Sequence, residues 1–115
     1  MKVFVVLRTC QEGDFGLLIL GIPPIDVYSD PDQAVREAMT LRSVPSLGID
    51  VDGYDVVTVQ SKGLTVPVNL DNSVPHMLQL LEEENSLQFF FFNPSEAGAK
   101  PYSNILFVQE VIERA

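Results

Sequence analysis

The sequence predicts an α+β domain, a mainly antiparallel sheet with two helices packed on one face. Three observations carry that expectation. The runs KVFVVLR at Lys2 to Arg8 and FFFF at Phe89 to Phe92 have the β-branched and aromatic character of strands. Two segments, SDPDQAVREA from Ser29 and SVPHMLQLL from Ser73, pair cap chemistry with helical spacing. Short polar links separate neighbouring strand segments, which favours hairpins over parallel crossovers.

Lys2 to Arg8 is apolar at both alternating sets of positions and reads as a strand buried on both faces. Thr9 to Asp14, with Gly13, supplies a hairpin loop, and Phe15 to Leu20 returns as the second strand. Gly21-Ile-Pro-Pro24 must interrupt pairing, because two prolines remove two backbone donors, and Ile25 to Tyr28 resumes extended structure. Ser29-Asp-Pro-Asp32 then starts a helix, with a capping side chain, proline in the first turn and an acidic residue three positions after Ser29. Its apolar stripe, Ala34, Val35, Ala38, Met39 and Leu41, predicts a helix over 31–42, stopped by Pro45.

Ser46 to Gly53 is a loop, with Asp50, Asp52 and Gly53 as turn residues. Tyr54 to Gln60 and Leu64 to Leu70 form a second hairpin turned at Ser61-Lys-Gly63. In the latter strand Leu64, Val66, Val68 and Leu70 share one face, and Pro67 suits an edge. Ser73 can cap the second helix, where Val74, Met77, Leu78 and Leu81 fall at helical spacing. Glu82, Glu83 and Glu84 then sit at the negative pole of that helix, so it frays before them or they serve another purpose. Leu87 to Phe92 reads as a central strand, Asn93 to Ser103 as a polar loop, and Asn104 to Ile112 as a closing strand with helix as the competing reading. The predicted order is β-β-α-β-β-α-β-β in one domain over 1–115.

Composition bounds the function. Hydrophobic residues make up 46% of the 115 and charged residues 20%, enough for one continuous core without disulfides or metals. The net charge of −9, from 16 acidic against 7 basic residues, has the wrong sign for binding nucleic acid or anionic lipid directly. A single cysteine, Cys10, cannot form an intramolecular disulfide. Val3 to Leu7 is too short for a signal peptide core, and no apolar run approaches the ~20 residues of a membrane span. The expectation is a cytoplasmic protein that touches neither membrane nor nucleic acid.

No catalytic or cofactor motif is present. His76, the only histidine, has no motif around it and reads as an exposed residue in the first turn of the second helix; Cys10 lacks the local signature of a catalytic thiol. Asp50-Val-Asp52-Gly53-Tyr-Asp55 alternates acids as calcium loops do, but position twelve from Asp50 is Ser61 rather than Glu, so it reads as a turn. One His and one Cys do not build a zinc site, and Gly13, Gly16 and Gly21 match no phosphate-loop spacing. Asp26, Asp30 and Asp32 offer carboxylates, the last two already explained by capping. The balance leans away from an enzyme, and no cofactor or metal is expected.

Two sets of residues stand out. In a strand Phe89 and Phe91 face one side and Phe90 and Phe92 the other; one pair belongs to the core, and the second needs a partner if that side of the sheet is uncovered. Together with Glu82, Glu83 and Glu84 these phenylalanines form the candidate interface. A base-stacking role is disfavoured because such platforms pair aromatics with a basic groove. His76, Tyr28, Tyr54 and Tyr102 are the polar candidates for a ligand pocket between sheet and helices.

The opening MKVFVV, the segment DVYSDPDQAVREA and the terminal ILFVQEVIERA resemble short bacterial proteins of unknown function. Those begin with a strand, turn through an aromatic-Ser-acidic cap into an Ala-containing helix, and end in an acidic strand. The resemblance covers about the first forty and the last dozen residues, implies an α+β fold and carries over no functional residue. The Pro23-Pro24 insertion and the second half of the chain depart from it. Solitary acidic domains of this kind are also typical of phage and mobile gene cassettes.

The sequence thus points to a non-enzymatic protein-interaction module, a homodimer joined through a sheet face or edge. The alternatives are an acidic inhibitor or immunity-type protein that binds a basic partner, and a small-ligand-binding domain.

Overall fold

A computed structural model describes residues 1–11, 17–19, 25–43, 51–68, 74–95, 98 and 102–112. The elements are β1 (Lys2–Gln11), β2 (Leu17–Ile19), β3 (Ile25–Tyr28), α1 (Pro31–Ala38), β4 (Asp55–Ser61), β5 (Leu64–Pro67), α2 (Val74–Glu84), β6 (Ser86–Phe92) and β7 (Tyr102–Glu110). The class is α+β, with every strand pairing antiparallel. Seven strands fill six positions in the order β2-β1-β7-β6-β4-β5, because β3 pairs with the same side of β1 as β2 does. β3 pairs Phe4 to Leu7, and β2 pairs Thr9 to Gln11, so the two lie end to end along one edge. The predicted order is corrected accordingly: Ile25 to Tyr28 is a strand of its own. The Gly21 to Pro24 break, the Gly13 loop, Pro45 and the Ser73 cap lie outside the described residues.

The terminal segment is a strand, and nine register pairs join β7 to β1 at the centre of the sheet. Nine pairings to a neighbouring strand outweigh the helical period that Ile105, Val108 and Ile112 also satisfy. β6 lies between β7 and β4, the interior place its phenylalanines predict.

The first helix begins at Pro31 as expected but differs in its cap and in its end. Asp30, not Ser29, is its N-cap, and its side chain accepts from the Asp32 N–H at 3.1 Å. Pro31 at the first helical position has no N–H and holds the residue before it extended, which puts the cap at Asp30. The helix stops at Ala38 rather than Arg42. Helix ends leave carbonyls without partners, and here Asn104 Nδ2 of β7 donates to the carbonyls of Ala38 at 2.9 Å and Thr40 at 3.2 Å. Thr40 Oγ1 donates back to Arg36 O at 3.1 Å. A buried side chain on a distant strand thus ends the helix ahead of Pro45.

The second helix runs through its glutamates. Lys62, in the two-residue β4–β5 turn, brings Nζ to 3.2 Å from Glu84 and 4.0 Å from Glu83 and offsets the charge at that helix end. Lys62 and Gly63 both have positive φ, 55° and 73°, as a type I′ hairpin turn requires. Asn85, φ 64°, closes α2 in the left-handed conformation common after a helix.

One face of the sheet holds the core. Ala34, Val35 and Ala38 of α1 and Met77 and Leu81 of α2 join one buried cluster with Val6, Val59, Leu87, Phe89, Phe91, Tyr102 and Leu106. The register places those strand residues on a single face. Small side chains on α1 let it lie close to the sheet.

Candidate functional site

Alternation along the strands puts a second set of apolar residues on the opposite face. Val27, Val5 and Phe107 form one row across β3, β1 and β7; Ile25, Leu7 and Ile105 form the next. Phe90 and Phe92 extend the set onto β6. None of these joins the core cluster, and among the described residues no helix packs against them. Ile25, Val27 and Phe92, at the periphery of this face, are 50%, 60% and 58% exposed, whereas Val5 at its centre is 8% exposed, Thr9 and Ser103 are buried, and Leu7, Ile105, Phe107 and Phe90 are half-buried.

Among the described residues this face is almost free of charge. Its other positions include Val3, Thr9, Ser86, Gln88, Ser103, Gln109, Thr58, Gln60, Thr65 and Pro67, and among the described residues Asp55 on β4 is the one ionisable side chain that the register assigns to it. Several of its polar groups are satisfied internally. The hydroxyls of Thr9 and Ser103 lie 2.6 Å apart, and Gln88 Nε2 donates to Ser103 Oγ at 3.2 Å.

The helix side carries the charges. Arg8, 1% exposed, faces Asn104 across β1 and β7 and donates from Nη1 to Asp26 Oδ2 of β3 at 2.6 Å. Arg42 lies 3.5 Å from the same carboxylate and also donates to Glu37. Burial, with the nearby carboxylates of Asp26 and Glu37, raises the Tyr28 phenol above its ordinary pKa. The Glu37 carboxylate raises the Arg42 guanidinium in turn. Among the described residues, Arg8 Nε and Nη2 and Asn104 Oδ1 are buried without a hydrogen-bond partner, an arrangement that costs stability.

Among the described residues, the helix side carries at least two grooves. The first, about 380 Å³, is bordered by Lys2, Phe4, Pro31, Leu78, Leu81, Glu82, Asn85 and Val108. The second, about 480 Å³, lies between Met39 to Leu41, Tyr54 to Val56 and Phe91.

The expected pocket residues do not converge. Tyr54 and Tyr102 meet edge to face with ring centroids 5.0 Å apart, beside the second groove. Tyr28 lies in the Asp26–Arg42 network, and His76 is exposed in the first turn of α2. The candidate interface residues separate as well: Phe89 and Phe91 are core, Phe90 and Phe92 open-face, and Glu82 to Glu84 end α2 on the helix side. Ile105 and Phe107 belong to no motif in the sequence. Their signal was the unbroken apolar run Ile105 to Val108, which fills both faces of β7.

A comparison with protein-family models, with curated proteins and with solved structures finds no match to this chain.

Proposed function

We propose that the protein is a non-enzymatic interaction module that works as a homodimer, two copies meeting through the open faces of their sheets. The observation that carries this reading is the near-absence of charge, among the described residues, from one face of a chain whose net charge is −9. Two such copies repel each other wherever charged surfaces meet. A face with apolar rows at its centre and neutral polar groups around them removes that penalty and has the composition of an interface core.

Size supports the same reading. At ~4.8 Å per strand and ~6.7 Å between same-face positions, the apolar rows with Phe90 and Phe92 cover roughly 260 Å². The whole six-position face is on the order of 600–800 Å², approaching the ~800 Å² per partner of a standard interface. The edges are poorer candidates. β5 is four residues long and contains Pro67, while the opposite edge is divided between β2 and β3. Short, proline-bearing edges resist pairing with another chain. We place the dimer in the cytoplasm on the sequence grounds above; no described helix is long and apolar enough to cross a membrane.

Light scattering across a concentration series tests the proposal. It predicts a species of twice the 12.7 kDa chain mass. A strict monomer at the highest concentration contradicts it.

A further inference from the structure

The groove between α2 and the sheet has the features of a small-molecule site, and it lies across the sheet from the dimer face. Its floor is Phe4 and Val108, register partners on β1 and β7, and one wall is Leu78 and Leu81 of α2. Its volume, about 380 Å³, falls within the ~300–1,000 Å³ of ligand pockets. The rim bears one cation and one anion, Lys2 and Glu82, and neither is ion-paired among the described residues. Glu110, opposite Lys2 across the strands, lies instead 3.4 Å from the N-terminal ammonium. The first turn of α1 and the last turn of α2 also border the groove, so opposite ends of two helix dipoles meet there.

Apolar walls take a hydrocarbon body. A purely anionic ligand meets the field of a chain with net charge −9, and a purely cationic one meets Lys2. A ligand bearing one charge of each sign satisfies both rim residues and is neutral overall. We propose that this groove binds a free amino acid with an apolar side chain, its carboxylate paired with Lys2 and its ammonium with Glu82.

The test is a set of NMR titrations of the labelled full chain with four ligands. L-phenylalanine carries all three features; N-acetyl-L-phenylalanine lacks the ammonium, phenethylamine the carboxylate, and glycine the apolar side chain. The proposal expects saturable shifts centred on Phe4, Leu78 and Val108 with L-phenylalanine, and binding at least about tenfold weaker for each of the other three, some 1.4 kcal/mol. Glu82→Gln, at an exposed position, should weaken L-phenylalanine by a similar factor and leave N-acetyl-L-phenylalanine unchanged. Absence of saturable shifts at millimolar phenylalanine overturns the proposal. So does equal binding of the four ligands, or a response confined to the open face. None of these outcomes bears on the oligomeric state.

Discussion

The two faces of this sheet are made from the same strands and nearly the same residue types, yet they have opposite chemistry. Along β7, Asn104, Leu106 and Val108 point to the helices, while Ile105 and Phe107 point away. Along β6, Phe89 and Phe91 are buried and Phe92 is exposed. The helix side combines apolar packing with a buried ion pair and a network of charges. The open side combines apolar rows with neutral hydrogen-bonded groups. An apolar strand position therefore does not by itself identify a core residue; what covers the face decides its role. In this molecule two helices cover one face, and we assign the other to a second copy.

The comparison breaks if single truncations on the two faces have equal cost in the dissociated protein. Phe89→Ala should lower unfolding stability by about 3–5 kcal/mol, as a large-to-small change in a closed core does. Phe107→Ala, measured by denaturant titration at a protomer concentration low enough to separate the pair, should cost about 1 kcal/mol. Similar losses would show that the open face is packed within the monomer.

The polar side of the comparison is sharpened at Asp26. Asp26→Ala leaves the buried Arg8 guanidinium without its carboxylate and should cost about 3 kcal/mol. Replacing both partners together, Arg8→Met with Asp26→Leu, should recover most of that loss, because apolar side chains carry no desolvation penalty. A double variant no more stable than the single one would mean that the pair is needed to fix the place of β3 on β1.

A smaller effect is expected with pH. Tyr28 is held above its ordinary pKa, so the folded state favours the neutral phenol more than the unfolded state does. Its contribution is complete below about pH 10, the unfolded value, and is lost as pH rises through the higher folded one. An alkaline titration followed at Tyr28 by NMR should show ionisation above pH 10. A midpoint at or below 10 would place the phenol in solvent, apart from Asp26.

Local patterns account for what was legible beforehand. Alternation identified the two-faced phenylalanine run, turn chemistry the reversal at Ser61-Lys-Gly63, of which Ser61 belongs to β4, and the missing donor of Pro67 its edge position. Helical spacing located both helices, with the first cap misplaced by one residue. The rest depended on contacts far apart in sequence. The stop of α1 is set by Asn104, 66 residues from Ala38, and the compensation of Glu84 comes from Lys62. The separation of β3 from β2 follows from where each pairs on β1. The Arg8–Asp26 pair has no local signature, and the open face emerges only once the register aligns Val27, Val5 and Phe107. The tyrosines and His76 could be singled out by type, but no spacing rule tells where the fold sends each of them.

Sedimentation equilibrium of Phe107→Glu beside the unaltered chain, with circular dichroism to verify folding, tests the central claim most directly. We predict a dimer for the unaltered chain and a folded monomer for the variant, because each copy would bring a buried carboxylate to the interface. A folded variant that keeps the dimer mass would contradict assembly through the open face.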